Sequence, residues 1–192
     1  IDKKLVDKAL AHSLEIYHKL VAKGKLDKER ATASQNLLKG GVKYDREFLK
    51  DVDLVIEAVP EELKLKSSIF KELESLCPEK TIFATNTSTL SLTDMAAGLK
   101  RPDKFVGLHF FNPAHIMKLV EVIYDHNTSQ ATIADMMNFA EILGKIPIKV
   151  KNAPGFAVNR VLIPYLNEAI LALMDGSGSI EEIDAAMVEF GM

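Results

Sequence analysis

Three short runs constrain this chain more than anything else in it: Asp53-Leu-Val-Ile-Glu-Ala-Val59, Thr81-Ile-Phe-Ala-Thr85 and Phe105-Val-Gly-Leu-His-Phe-Phe111. Each is apolar along nearly its whole length, where a strand with one wet face would alternate. Such runs fit strands buried on both faces, as in a parallel sheet covered by helices. The stretches between them read as helices, from about Glu62 to Leu76 and, more briefly, near Leu92–Leu99. Lys118-Leu-Val-Glu-Val-Ile123 reads as a further strand. Gln130 to Leu143 reads as a helix stopped by Gly144, and Ile146–Val150 as the last strand. Strand and helix in alternation predict α/β layers.

The flanks are different. Val6, Leu10, Leu14, Tyr17 and Val21 recur at helical spacing, and Asp27 is placed to cap a second helix from about Lys28 to Lys39. Residues 2–39 therefore form a lysine-rich helical hairpin. After Asn152-Ala-Pro-Gly155 all is helical. Val158, Leu162, Leu166, Ala169 and Leu173 share one face of a long helix that Pro164 should kink, and Ser179-Ile-Glu-Glu182 is a capping box for another. The expected division is an α/β domain over 1–151, hairpin included, and the start of an all-α domain over 152–192. The chain begins with Ile1 rather than Met and stops at Gly191-Met192 after a helical pattern, so both ends read as cuts in a longer protein.

A hydrophobic fraction of 47% with 27% charged residues is ordinary for a globular protein, and a net charge of −3 suggests neither a nucleic-acid nor a membrane-surface partner. No apolar run approaches the roughly 18 residues of a membrane span. The single cysteine, Cys77, excludes an intramolecular disulfide and points to a cytoplasmic or other reducing compartment. With no Cys–His motif around it, it reads as a structural thiol. No metal-ligand spacing, Gly-x-Gly-x-x-Gly, Walker motif or Gly-x-Ser-x-Gly occurs, and no metal is expected.

His109 stands at the C-terminal end of an apolar strand, where ligands of open α/β sheets bind. Glu121, inside the apolar Leu119-Val-Glu-Val-Ile123, is an acid that needs a partner. A strand, a loop and a strand can return it to His109. A carboxylate on one imidazole nitrogen fixes the tautomer and leaves the other nitrogen to take a proton from an alcohol. A purely structural His–Glu pair fits the same pattern. His12, His18 and His126 read as solvent-facing, and His115 lies in a connecting loop. Asn86-Thr-Ser-Thr89 and Asn159 are polar groups able to hold a substrate oxygen, or simply turn and cap residues. Glu57 is another acid within an apolar strand, and Glu61 follows that strand.

Taken together, Asp53–Glu61, Phe83-Ala-Thr-Asn-Thr-Ser88, Gly107-Leu-His-Phe-Phe-Asn-Pro113, Met117–Ile123 and Pro154-Gly-Phe-Ala-Val-Asn-Arg160 resemble the L-3-hydroxyacyl-CoA dehydrogenases, including the 3-hydroxybutyryl-CoA type. The resemblance implies a truncated Rossmann-type NAD-binding domain followed by part of an all-α, dimer-forming domain. It implies that a 3-hydroxyacyl-CoA is oxidised to a 3-ketoacyl-CoA with hydride passing to NAD, as in fatty-acid β-oxidation or butanoate metabolism. His109 then looks like the general base and Glu121 its orienting partner, while Ser88 and Asn159 look like the groups holding the substrate oxygen. Glu61, Lys66, Ser88 and Asn112 look like NAD contacts, and Ser13 and Lys19 in the hairpin like contacts to coenzyme A. The family's glycine-rich turn and acidic ribose ligand would precede Ile1, so these 192 residues alone are expected to bind NAD poorly. The alternatives are a related dehydrogenase of a free hydroxy acid, such as the gulonate or crystallin-like relatives, and a non-catalytic remnant of the fold.

Overall fold

The computed structural model describes residues 2–44 and 46–192. By its internal contacts the chain divides into two compact units, Ile1–Asp51 and Val52–Met192.

The first unit is the helical hairpin, α1 (Lys3–Ala22) and α2 (Lys28–Leu37), followed by a one-turn helix α3 (Arg46–Leu49). Asp2 and Asp27 cap α1 and α2 by accepting from the amides of Lys4 and Arg30, because the first amides of a helix have no partner within it. At four residues, α3 is too short to display a period and was not legible in the sequence.

The second unit runs β1 (Leu54–Glu57), α4 (Leu63–Glu74), β2 (Ile82–Thr85), α5 (Leu92–Ala96), a 3-10 turn (Pro102–Lys104), β3 (Phe105–Phe110), β4 (Leu119–Tyr124), α6 (Gln130–Ile142), β5 (Ile146–Lys151), α7 (Val158–Met174) and α8 (Ile180–Phe190). The helices are trimmed relative to their sequence patterns. In α4, the amides of Leu76 and Cys77 both turn back to the carbonyl of Leu73, and Pro78 follows, which disfavours further helix. Pro164 sits inside α7, which continues as one helix from Val158 to Met174.

The five strands lie in sequence order, β1-β2-β3-β4-β5, all pairs parallel except β3–β4. Paired residues share a face and successive residues alternate. Ile82, Ala84, Val106, Leu108, Val120 and Val122 therefore fall on one side, packed with Met136 and Ala140 of α6. The other face carries Phe83 and Phe105, on which Phe70 of α4 stands edge-on, with ring centroids 6.2 and 4.8 Å away. Apolar on both sides, the central strands could not alternate. That second face also carries Glu57, Thr85, Gly107, His109 and Glu121, so the pleat gathers the buried polar groups on one side of the sheet.

Gly107 owes its place to close approach: a Cβ there would lie 2.9 Å from the Cβ of Ile123, its partner on β4. Gly107→Ala is expected to lower stability by about 1–3 kcal/mol, as overpacking does, measured as a shift in the urea midpoint.

Helices α7 and α8 bury no residue within this unit. Val161 is 71% exposed and Phe190 80%, and Ile163, Leu166, Ile170, Met174 and Val188 are exposed as well. The capping box at Ser179 and Glu182 is formed as expected. Among the described residues no helix is long and apolar enough to cross a membrane.

Candidate active site

The antiparallel register of β3 and β4 sets His109 directly opposite Glu121. His109 is 7% exposed and Glu121 fully buried, and His109 Nδ1 lies 2.7 Å from Glu121 Oε2. Since a carboxylate only accepts, the proton of a neutral imidazole belongs on Nδ1 here, and Nε2 is then left as an acceptor. The second carboxylate oxygen is also engaged. Oε1 accepts from the amides of Ala157, at 2.9 Å, and Val158, at 3.0 Å. These are the opening amides of α7, whose N-cap residue, Ala157, makes no side-chain cap bond of its own. A strand carboxylate 36 residues upstream thus caps the helix and complements its dipole. This role was not visible in the sequence, because the cap is remote from the helix it serves. The imidazole is flanked by Phe111, at 4.6 Å between centroids, and Phe156, at 6.1 Å.

A second polar group forms beyond the carboxyl ends of β1 and β2. Glu61 Oε1 accepts from the Thr87 hydroxyl, from the Ser88 amide at 3.0 Å and from the Thr89 amide at 3.3 Å. Burial works to raise the Glu61 pKa, but the bonds from Thr87, Ser88 and Lys66 outweigh it and hold the carboxyl below its ordinary value. A carboxyl lowered on folding adds stability above its unfolded pKa and loses it as pH falls through the folded value. Stability should therefore drop more steeply on acidification below about pH 4.5 in the parent than in Glu61→Gln. Urea midpoints of both proteins between pH 7 and pH 3 check this.

Lys66 lies inside this cluster. Its ammonium, 1% exposed, donates to Glu57 Oε1 at 2.8 Å, to the carbonyl of Val59 at 3.1 Å and to Glu61 Oε2 at 3.2 Å. All three of its protons have an oxygen within reach, and through the last of these Lys66 braces Glu61. Glu57 is held in turn by the Thr85 hydroxyl at 2.7 Å and the amide of Val59. Nothing in the spacing of Glu57 and Lys66 announces this pairing; only the packing of α4 on β1 produces it.

The two groups are joined across β2 and β3. Asn86 Oδ1 accepts from the Phe110 amide at 2.9 Å, and the Asn86 amide donates to the carbonyl of Glu57. From α7, Asn159 Nδ2 reaches the carbonyl of Ser88 at 3.4 Å. His109 is thus brought together with Glu121, and Ser88 with Asn159. Asn112 is exposed just past β3, in a loop that Lys145 pins by donating to the carbonyls of Ala114 and Met117. His115 is exposed in the same loop, and His12, His18 and His126 are exposed elsewhere. Cys77 is buried, and burial pushes its thiol pKa up, which suits a structural thiol. In the first unit, the Ser13 hydroxyl donates to the carbonyl of Ala9 and Lys19 pairs with Glu15.

The donor set suits the nicotinamide half of a dinucleotide. The Ser88 hydroxyl and Asn112 amide have no protein partner among the described residues; Ser88 lies past β2 with its amide on Glu61, and Asn112 lies past the carboxyl end of β3. They can meet ribose hydroxyls and a carboxamide, whereas no basic side chain in this cluster is free to meet a phosphate.

The family model described as 3-hydroxyacyl-CoA dehydrogenase, NAD binding domain, matches residues 1–153, and the model for the C-terminal domain of the same enzyme matches residues 155–192. The chain is 48% identical over 182 residues to a 3-hydroxybutyryl-CoA dehydrogenase of Clostridioides difficile, covering 95% of this chain and 64% of that protein. It is 52% identical over 135 residues to the human mitochondrial hydroxyacyl-coenzyme A dehydrogenase, covering 70% and 43%. In the solved structure of (S)-3-hydroxybutyryl-CoA dehydrogenase from Ralstonia eutropha, 41% identical, the match has a TM-score of 0.89 over 95% of this chain and 64% of that one. The chain thus spans less than two-thirds of these relatives.

Proposed function

Because the chain belongs to the 3-hydroxyacyl-CoA dehydrogenase family, we propose that the protein it represents oxidises an L-3-hydroxyacyl-CoA to the 3-ketoacyl-CoA. NAD, the cofactor of the matched domain, would accept the hydride from the substrate carbinol carbon. The remaining work is done by this chain. His109 takes the hydroxyl proton at Nε2 as the C–O bond gains double-bond character. Glu121 holds the ring and balances the imidazolium that forms. Ser88 and Asn159, joined through the Ser88 carbonyl, orient the substrate oxygen. Glu61 shapes the Thr87–Thr89 turn, and with Ser88 and Asn112 it meets the cofactor, Lys66 acting through Glu61. The observation that carries this reading is the 2.7 Å contact of His109 Nδ1 with Glu121, which leaves Nε2 as the acceptor at the carboxyl end of β3.

NADH formation by the full-length protein tests it. The expected result is turnover of 3-hydroxybutyryl-CoA far exceeding that of free 3-hydroxybutyrate. Preference for the free acid would overturn the CoA reading, and no reduction of NAD with either would overturn the dehydrogenase reading. The NAD-binding domain is assigned residues 1–151, hairpin included, and the helical domain residues 152–192; family models that match 1–153 and 155–192 support a division near there. Coenzyme A would be met in part by the hairpin, through Ser13 and Lys19. A reducing intracellular compartment suits a chain whose lone thiol is buried.

The helical domain is also assigned the subunit contact of a homodimer. Val161, Ile163, Ile170 and Val188 of α7 and α8 are all exposed, and large apolar side chains gathered in an exposed patch mark an interaction surface. Sedimentation of the full-length protein at micromolar concentration should give a dimer, and a clean monomer would remove the assignment.

A further inference from the structure

Phe156 is the one non-glycine residue with positive φ among the described residues, at 49°, and it is 3% exposed. The left-handed region is costly for a bulky side chain, and a residue kept there is held by its surroundings. Its neighbour Gly155, at φ 75°, is left-handed too. There a Cβ would meet the Arg160 amide nitrogen at 3.0 Å. Two successive left-handed residues turn the chain sharply between β5 and α7. The turn has two results at one place. It points the amides of Ala157 and Val158 at Glu121 Oε1, and it puts the Phe156 ring against the imidazole of His109, 6.1 Å between centroids and tilted by 58°. Phe111, from the end of β3, lies against the same imidazole. A histidine bonded to a single carboxylate oxygen can still swing about that bond, and aromatic walls restrict the swing.

We propose that Phe156 is a positioning residue for the base: its left-handed backbone seats the amides that lock Glu121, and its ring holds the imidazole at the angle that presents Nε2 to the substrate. The inference rests on the reading of His109 as the base. It assigns to the first residues of the helical domain a part in the acid–base geometry of the sheet. Two variants test the ring, one of them chosen to keep the left-handed backbone comfortable. Phe156→Leu removes the aromatic wall while keeping an apolar side chain. Phe156→Asn also removes it, but suits the left-handed backbone.

The experiment compares both variants with the parent and with His109→Gln in the full-length enzyme. Readouts are kcat, KM for NAD and for the acyl-CoA, and the downfield proton resonance of the imidazole Nδ1–H. A displaced catalytic group costs up to about 100-fold in rate. Phe156→Leu and Phe156→Asn are therefore expected to lower kcat by about 10- to 100-fold, with both KM values nearly unchanged. In both variants the Nδ1–H resonance should broaden through exchange, and Phe156→Tyr should restore most of the rate. If Phe156→Leu keeps kcat and a sharp resonance while His109→Gln is inactive, the positioning role is wrong and the base assignment survives. If His109→Gln keeps full activity, it is the base assignment that fails. A loss of KM and kcat together, with the resonance intact, would mark Phe156 as a packing residue only and overturn the proposal.

Discussion

Replacing His109 by Gln is expected to lower kcat by about 10²- to 10⁴-fold, the usual worth of a positioned acid–base group, with NAD affinity nearly unchanged. The geometry makes Glu121→Gln informative in its own way. Oε1 of Glu121 already accepts from the Ala157 and Val158 amides, so a Gln there keeps its oxygen on that side. Its NH2 group then faces His109 Nδ1, 2.7 Å away in the parent. Two donors cannot share a bond, so the imidazole must move its proton to Nε2, the nitrogen needed to accept from substrate. The variant should stay folded and lose kcat by about as much as His109→Gln, because a wrong tautomer disables a base as fully as its removal. The double variant should be little worse than either single one, since groups that act as a unit are not additive. Steady-state rates for the four proteins decide this. Multiplicative losses would show that the two residues act independently.

Lys66→Met is expected to cost about 3–5 kcal/mol of stability, the penalty for leaving a buried charge without its partner. Glu57 is 4% exposed, and its remaining donors are the Thr85 hydroxyl and the Val59 amide. Changing Glu57 to Gln in the same protein should recover much of the loss, because a neutral amide needs no countercharge while its oxygen still accepts. Urea unfolding of the two variants and the parent measures it. A single-variant loss within about 1 kcal/mol, the range of an exposed ion pair, would mean that water reaches Glu57. The site should feel the change too: without Lys66, Glu61 loses the bond that anchors it from the α4 side, so the Thr87–Thr89 turn should loosen and NAD should bind more weakly.

These two pairs were unequally legible. The acid in Leu119-Val-Glu-Val-Ile123 and the histidine in Phe105–Phe111 are each out of place in an apolar strand, and two such groups call for each other. Glu57 raised the same question in its own strand, but its partner sits on a helix that reads as amphipathic. A lysine at a helical position is normally assigned to solvent. Only the packing of α4 over β1 turns Lys66 inward. Ser88 and Asn159 were singled out by their positions at element ends, yet their meeting depends on where α7 starts. That start is decided by Glu121, a residue of another element.

By itself, the order of apolar runs and helical periods determined the alternating elements, the burial of the central strands on both faces and the helical character of both flanks. Those features follow from local rules: period, propensity, and the caps at Asp27 and Ser179. The tertiary structure alone decided strand order, the antiparallel turn of β3 into β4 that sets His109 opposite Glu121, and the capping of α7 by a strand carboxylate. It also decided the inward turn of Lys66 and the left-handed bend at Phe156. Each of these joins residues far apart in the chain, and each requires burial before a polar contact becomes stronger than the same contact with water. Periodicity carries no record of such contacts, because the groups that make them are chosen by what the folded neighbours leave unsatisfied.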